Sequence, residues 1–412
     1  MSTASLAALP RTMVQDVLMP AYVKAFECQG AQCPDTCCAR WTVTVDKESF
    51  QVYRRITHPK LKPLFKQFLV QVDPKSQKKH GVLHLRTDTS QCGLLDDLGW
   101  CQIQRQLGEQ ALCDTCFSYP RHTVQINGQT EQHLTLSCPH AARLALTMPD
   151  AFAFTAAQVP IRPSAAVAIA AVHGFAPESV DAARLFAVQL CQTEDLVLTE
   201  KLIALGWLCQ QIDALISMSL WQGMEVLLAD LVGLVESGEL RRQATLLATD
   251  TTVGTIVLAS LFAKVRHHNI SDLQAAVFEA VRKGLELDKV DAAPIDLCYR
   301  KGRSLLDLDG GRSEAALSRY VLNEVLREMF PWQESTCLGH FQKLVARVGI
   351  VRLMLAGTAA ASNAQLDDDA IIQVVHVFAR HYQHNDQFID EVRELLSESG
   401  MTRLEHLYAL LL

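Results

Sequence analysis

Cys28-Gln-Gly-Ala-Gln-Cys33-Pro-Asp-Thr-Cys37-Cys38 is the stretch that decides how this chain is read, because it starts a run of patterned cysteines that closes only at Cys138-Pro139. Between them stand Cys92-x8-Cys101 and Cys113-x2-Cys116, so nine of the thirteen cysteines fall between positions 28 and 138. The other four, Cys191, Cys209, Cys298 and Cys337, are scattered through apolar helical sequence. They read as small core residues.

Three chemistries compete for such a group. Disulfides need an oxidising compartment, and MSTASLAALPRTMVQDVLMP at the N-terminus lacks a basic segment followed by an unbroken apolar run, so a cytoplasmic chain is expected. Zinc is suited by short pairs such as Cys33-x3-Cys37 and Cys113-x2-Cys116, with His122, His133 or His140 nearby, but a closed zinc site takes four ligands and this thiol set overshoots it. An iron–sulfur cluster held by four thiolates accounts better for a thiol-only set, with surplus cysteines packing around it. Iron–sulfur therefore stands first and zinc second. The Cys-x3-Cys-x2-Cys loop that opens one iron to S-adenosylmethionine for radical chemistry begins at Cys33 and Cys37 but fails at its third position, which is Arg40. The expected cluster is fully ligated. Adjacent Cys37 and Cys38 would point to opposite sides if the backbone there is extended, and one of them would then reach a given metal.

Size and charge narrow the rest. A chain of 412 residues with 49% hydrophobic residues accommodates two or more domains and a substantial core. A net charge of −7 argues against a general nucleic-acid partner. The basic run Lys75-Ser-Gln-Lys78-Lys79-His80 reads as a solvated loop. No membrane span is expected: the apolar run Phe341–Ala361 is broken by Lys343, Arg347 and Arg352, and Leu215–Val235 by Glu225 and Asp230.

Periodicity predicts a mainly α chain, with a small cysteine-rich α+β metal-cluster domain followed by an all-α helical domain. Residues 1–20 read as a lead-in segment, 21–145 as the cysteine-rich domain and 146–412 as the helical one. The alternation Trp41-Thr-Val43-Thr-Val45 predicts a strand, the spacing from Lys47 to Val72 two helices broken near Pro59, and Ile103–Leu112 a helix. Thr123–Ile126, Asn127-Gly128 and His133–Leu136 predict a hairpin. From about Ala142 onward, amphipathic helical faces recur and strand patterns nearly vanish. Gln158–Pro163 and Asp307–Gly311 are linker candidates.

With these blocks in view, the chain resembles the flagellin lysine-N-methylases. The likeness lies in Cys28–Trp41, in Cys92-Gly-Leu-Leu95-Asp96 with Cys101–Gly108, in Asp114-Thr-Cys116-Phe-Ser-Tyr119-Pro120-Arg121, and in Leu134-Thr-Leu-Ser-Cys138-Pro139. Tyr320–Pro331 and Tyr382-Gln-His384-Asn385 resemble the family's later blocks. Two positions depart from the family pattern: Cys113 stands where a non-cysteine is expected, and His140 stands where an acidic residue is usual. The family-like metal set is then Cys28, Cys33, Cys37, Cys38, Cys92, Cys101, Cys116 and Cys138. The resemblance implies methyl transfer from S-adenosylmethionine to flagellin lysines, in a protein carrying an iron–sulfur cluster, here a [4Fe-4S] cluster. A non-catalytic cysteine-cluster protein, binding iron–sulfur or zinc as a metal carrier or adaptor, is the competing reading.

No Gly-x-Gly-x-x-Gly turn occurs, so a doubly wound cofactor domain is not expected. A free lysine has a pKa near ~10.4, so its methylation needs a desolvating wall or a base. Asp46, Asp96 and Asp114 are the acidic candidates, each equally suited to a cap or turn. Trp41, Tyr119, Trp100 and Phe117 sit among the cysteines and suit either cluster packing or a wall for a sulfonium. Arg121 is placed to hold the donor's carboxylate or to form a structural ion pair. Tyr119, Asp114 and Asp46 are thus the catalytic candidates, and Trp41, Arg121 and Tyr119 the cofactor-binding ones. His267-His268 and His384 lack a second pair at ligand spacing and read as ordinary helical residues.

Overall fold

A computed structural model describes residues 12–168, 174–246, 251–264, 269–289 and 294–411. The chain is mainly helical with a small α+β region towards its N-terminus. It divides into two compact units, one holding the described residues up to Leu144 together with Asp150–Ala168, the other holding most of the remainder.

The first unit carries two sheets, built from β1 (Met13–Pro20), β2 (Val43–Val45), β3 (Leu69–Gln71), β4 (Gly81–Leu83), β5 (Arg121–Ile126), β6 (Gln129–Leu134), β7 (Phe154–Ile161) and β8 (Val167–Ala168). Its helices are α1 (Ala21–Lys24), α2 (Lys47–Arg55), α3 (Leu61–Phe68), α4 (Gln102–Leu107), α5 (Asp114–Ser118) and the start of α6 (Pro139–Thr147). The smaller sheet, in the order β2-β4-β3, is antiparallel throughout. Its inward residues Val43, Val45, Leu69 and Leu83 join Phe50, Tyr53, Leu61 and Phe65 from α2 and α3 in one apolar cluster. Tyr53 stacks on Phe65 at 4.5 Å and satisfies its buried hydroxyl by donating to the Ala111 carbonyl at 2.8 Å. The larger sheet runs β7-β1-β6-β5-β8. Its β5–β6 hairpin turns at Asn127 and Gly128, both at positive φ (46° and 81°), which is what an Asn-Gly turn supplies.

Two expectations are corrected here. Met13–Pro20, read as part of a lead-in, is a strand paired along its whole length with β7, from Met13 opposite Ile161 to Pro20 opposite Phe154. Residues 1–11 lie outside the described set. Residues 146–412, read as all-helical, begin with strands β7 and β8, and the supposed linker Gln158–Pro163 is mostly the end of β7. The cause is visible in both segments: each carries a proline and an imperfect alternation, and neither reads as a strand until the other lies beside it.

The second unit consists of α7 (Pro177–Gln192), α8 (Leu198–Ser217), α9 (Met224–Glu236), α10 (Glu239–Leu246), α11 (Thr251–Lys264), α12 (Asp272–Gly284), α13 (Ile295–Asp307), α14 (Arg312–Arg327), α15 (Cys337–Ser362), α16 (Asp368–Phe378), α17 (Asp386–Glu398) and α18 (Leu404–Leu407). Helix α15 is its axis, packed by α8, α11, α12 and α13. It is the one described helix with the length and apolarity of a membrane span, and because 83% of that window is buried, it reads as a core helix. Gly302 of α13 lets the two backbones approach so closely that a Cβ there would meet the carbonyl of Ala356.

The charges of α15 are not wasted on solvent. Arg347 and Arg327 both bind the buried Glu324, at 2.8 and 3.1 Å, while Glu328 takes Arg327 at 2.5 Å and Lys343 at 2.6 Å. Burial alone would push the Glu328 carboxyl up, but Arg327, Arg347 and Lys343 together hold it well below the usual range.

Candidate metal centre

Each cysteine of the motif is delivered by a turn or a helix start in the first unit. Cys28 follows α1 on an exposed loop, Cys33 closes the 3-10 turn Gly30–Gln32, and Cys37 and Cys38 lie in the turn that precedes β2. The Cys92 amide donates to the Cys38 carbonyl at 2.7 Å, and Ala39 bridges Gln91, so the two cysteine blocks are tied by backbone. The loop from Cys92 to Cys101 is built on Asp96. Its Oδ1 accepts from the amides of Leu98 and Trp100 at 3.0 and 2.8 Å, and its Oδ2 from Gln102 and Arg105, both at 2.7 Å. The Trp100 amide is the main reason its carboxyl sits below the usual range. Cys101 immediately precedes α4, Cys116 lies within α5, and Cys138 precedes α6.

These turns bring all eight cysteines of the set to the wall of one cavity of about 120 Å³. Cys113 is not in that wall. It is buried and donates from Sγ to the Thr44 carbonyl at 3.7 Å.

The thiols are arranged for charged sulfur but hold protons until something replaces them. Burial pushes the Cys33 and Cys92 thiols up to about 11 and Cys138 up to about 12, and neighbouring cysteines add to the rise. Working the other way, backbone amides donate to the sulfurs: Asp35 to Cys33, Leu94 to Cys92, Gln104 and Ile103 to Cys101, and Ala141 and His140 to Cys138. Amides aimed at sulfur stabilise thiolate ligands and tune what they hold. Among the described residues, no three His, Cys, Asp or Glu side chains converge tightly enough to grip a single ion. A wall of thiols around a space several waters in volume suits a polyatomic inorganic group better than one bare cation. The residues therefore fit an iron–sulfur cluster.

Around the thiols the wall is aromatic on one side. Trp41 and Tyr119 both line the cavity, with ring centroids 6.5 Å apart. Trp41 donates its indole N–H to the Cys37 carbonyl and keeps an exposed edge, and the Tyr119 hydroxyl lies 3.2 Å from Ser137 Oγ. Trp100 closes another side, its ring lying over Gly30, where any side chain would collide with it. Arg121 lines the cavity, yet its guanidinium pairs with Glu109 at 3.0 Å and sits 5.5 Å over the Phe26 ring.

The two remaining catalytic candidates lie elsewhere. Asp46 caps α2, accepting the Ser49 amide at 2.8 Å, and its other oxygen accepts the Asp114 amide at 2.9 Å. Asp114 is held by Arg162 at 2.8 Å and by the Ser164 hydroxyl at 2.7 Å. Neither lines the cavity. Phe117 also faces away, under the guanidinium of Arg162 at 4.5 Å. Among the described residues, the carboxylate in the wall is Glu109, which no motif marks. Its neighbour Gln110 and the turn it occupies give it no sequence signal. His267 and His268 lie outside the described residues. In the helical unit, Gln383 of one family-like block donates to the Tyr320 hydroxyl of the other at 3.4 Å, beside the Glu324 ion pairs.

Comparison with known proteins adds the following. Residues 184–410 match the family model described as FliB lysine N-methylase C-terminal domain. A lysine-N-methylase of Salmonella typhimurium is 30% identical over 139 residues, 34% of each chain, and that of Salmonella choleraesuis matches to the same extent. The flagellar biosynthetic protein FliU of Salmonella muenchen is 31% identical over 137 residues, 33% of this chain and 80% of its own length. The chain thus spans about a third of the length of the two curated methylases it matches. No solved structure is significantly similar to it.

Proposed function

The chain belongs to the FliB lysine N-methylase family, and from that premise we propose that it is a cytoplasmic enzyme transferring a methyl group from S-adenosylmethionine to lysine side chains of flagellin. The flagellar part of the reading leans on the name of the Salmonella muenchen relative. The observation that carries the site is the convergence of eight motif cysteines with Trp41 and Tyr119 on one cavity.

The chemistry asked of the protein is a displacement at carbon. The lysine nitrogen, once neutral, attacks the methyl carbon. The new N–C bond forms as the C–S bond breaks, its electron pair passing to sulfur, so the sulfonium becomes a neutral thioether and the positive charge moves to nitrogen. A final proton leaves the methylated ammonium. An apolar wall speeds this in two ways: desolvation lowers the lysine's pKa from ~10.4, and ring faces stabilise a spread cation. Trp41 and Tyr119 are the rings placed to do so. Tyr119 with Ser137, and Glu109 with Arg121, are the polar pairs in the wall able to orient an amine. Asp46 and Asp114 are set aside for this role because their oxygens are already committed. A cluster held by the thiols supplies cross-links to a unit whose strands and helices are short.

The test is calorimetric titration of S-adenosylmethionine into anaerobically purified protein, followed by mass spectrometry of flagellin incubated with both. Saturable binding and methyl increments on lysines are expected. Iron-loaded protein that binds no S-adenosylmethionine and leaves flagellin unchanged would move the chain to the carrier or adaptor class.

A further inference from the structure

A second cavity, of about 190 Å³, lies beside the thiol cavity within the first unit, and Phe26, Glu109 and Arg121 line both. The larger sheet contributes to its lining through Met19 of β1, Gln132 of β6, and Ala157 and Val159 of β7. Ala157 and Val159 are two apart and so share one face of their strand. Phe117, which faces away from the thiols, adds an aromatic side, and the exposed Lys24 completes a mixed wall.

The polar groups of this cavity have bonding capacity to spare. Gln132 is only 5% exposed and donates from Nε2 to Thr123 Oγ1 at 3.1 Å, which leaves its Oε1 without a partner among the described residues. Arg121 donates one nitrogen to Glu109 Oε1 at 3.0 Å and lays its guanidinium over the Phe26 ring, keeping its other N–H groups. Glu109 keeps its second carboxylate oxygen. Lys24 and Arg121 against Glu109 make the lining net positive, which disfavours a lysine ammonium as occupant and favours a ligand with a carboxylate.

An ion pair with an oxygen and several N–H groups in hand matches an α-amino acid head, which presents ammonium and carboxylate on one carbon. An apolar and aromatic surface with one buried amide oxygen matches a purine bearing an exocyclic amine. S-adenosylmethionine has both ends. We propose that this second cavity seats the methyl donor. Arg121 and Lys24 take its carboxylate, Glu109 its α-ammonium, and Gln132 Oε1 the adenine amine, with the ring against Met19, Val159 and Phe117. The sulfonium then faces the thiol cavity across the shared wall, towards Trp41 and Tyr119. The amine that Glu109 orients is the donor's own, and Tyr119 with Ser137 is left for the lysine. This inference rests on the donor named in the proposed function and goes beyond it by giving that donor a place and a set of contacts.

The experiment titrates S-adenosylmethionine and its decarboxylated analogue, by calorimetry, into the full chain purified anaerobically with its metal. Wild type is compared with Lys24→Glu, Arg121→Gln and Ala157→Phe, each first matched to wild type in far-UV dichroism and metal content. Wild type should prefer the carboxylate-bearing donor by about tenfold or more, the value of a charge-assisted hydrogen bond. Lys24→Glu and Arg121→Gln should each erase most of that preference, a change that a merely structural role does not produce. Ala157→Phe, on the partly exposed edge strand β7, fills the cavity and should weaken both ligands about tenfold or more. Lys24 is exposed, so its variant decides the matter even if another fails to fold. Wild-type binding with the preference intact in the charge variants, and affinity unchanged in Ala157→Phe, seats the donor elsewhere; this overturns the inference and leaves the methylase reading standing. No saturable binding of S-adenosylmethionine to wild type overturns both.

Discussion

Replacing Glu324 by alanine tests whether the helical unit is held by its buried charges. Glu324 is almost wholly buried and binds Arg327 through both oxygens, at 3.2 and 3.1 Å, and Arg347 at 2.8 Å. The buried part of the group sets Glu324, Glu328 and Glu334 against Arg327, Arg347 and Lys343, three charges of each sign, with the part-exposed Arg393 joining Glu334 from its outer side. Without Glu324 the count is three positive to two negative, and the surplus is a guanidinium with no route to water. Breaking a buried pair by deleting one partner costs about 3–5 kcal/mol, a large part of the ~5–15 kcal/mol that holds a typical protein together. At roughly 2–4 °C per kcal/mol for a unit of this size, the thermal midpoint should fall by about 10 °C. Differential scanning calorimetry and urea titration at pH 7 measure it. Asp288→Asn is the control, since its partner Arg282 and Asp288 are both about half exposed and such pairs are worth little. A Glu324→Ala loss no larger than the control's would refute the reasoning and show the network to be dispensable.

Three further outcomes follow from particular residues. Burial pushes His340 down to about 4, against about 6.5 when unfolded; between these values the unfolded chain takes up a proton that the folded one refuses, so stability falls as pH drops from about 6.5 to 4, by about 3 kcal/mol. His340→Gln should flatten that part of the urea midpoint's pH profile, and an unchanged slope would assign it to other groups. Gly302→Ala should lose about 1–3 kcal/mol, because its Cβ meets the Ala356 backbone, whereas Gly233→Ala, with open space around it in α9, should gain up to ~1 kcal/mol from helix propensity; equal changes in the two thermal midpoints would count against the close packing of α13 on α15. Cys113→Ser should keep the metal content of the wild type, since this thiol donates to Thr44 and neighbours Cys116 without itself lining the cavity; metal loss on analysis would make Cys113 a ligand.

The helical unit was legible as a class because apolar residues at helical spacing recur along it, as in α12 and α14, each run readable without its neighbours. The cysteine blocks were legible as a group because their short spacings stand out wherever the turns place them, and the turns bring eight of them to one cavity. What could not be read was pairing over long distance. Met13–Pro20 and Phe154–Ile161 are ambiguous alone and become strands only against each other. The roles of the acidic residues were equally hidden. Asp46 and Asp114 look like proton acceptors in sequence, but a cap, an amide and Arg162 had already taken their oxygens. Glu109 reached the cavity through the short turn after Gly108, whose φ of 89° redirects the chain by an amount no side-chain pattern encodes.

The pairing of β1 with β7 also sets an order of events at the ribosome. β1 is complete at Pro20, just before the first cysteine of the set, but its full-length partner ends at Ile161, beyond the last. At roughly 5–20 residues per second, the interval between them is on the order of ten to thirty seconds. Throughout that interval every thiol has been or is being made while the strand that brackets them has no partner along β7. The nascent segment is therefore open to solvent before the sheet closes, and whatever ligand the thiols take has an easier path in during synthesis than into the finished protein.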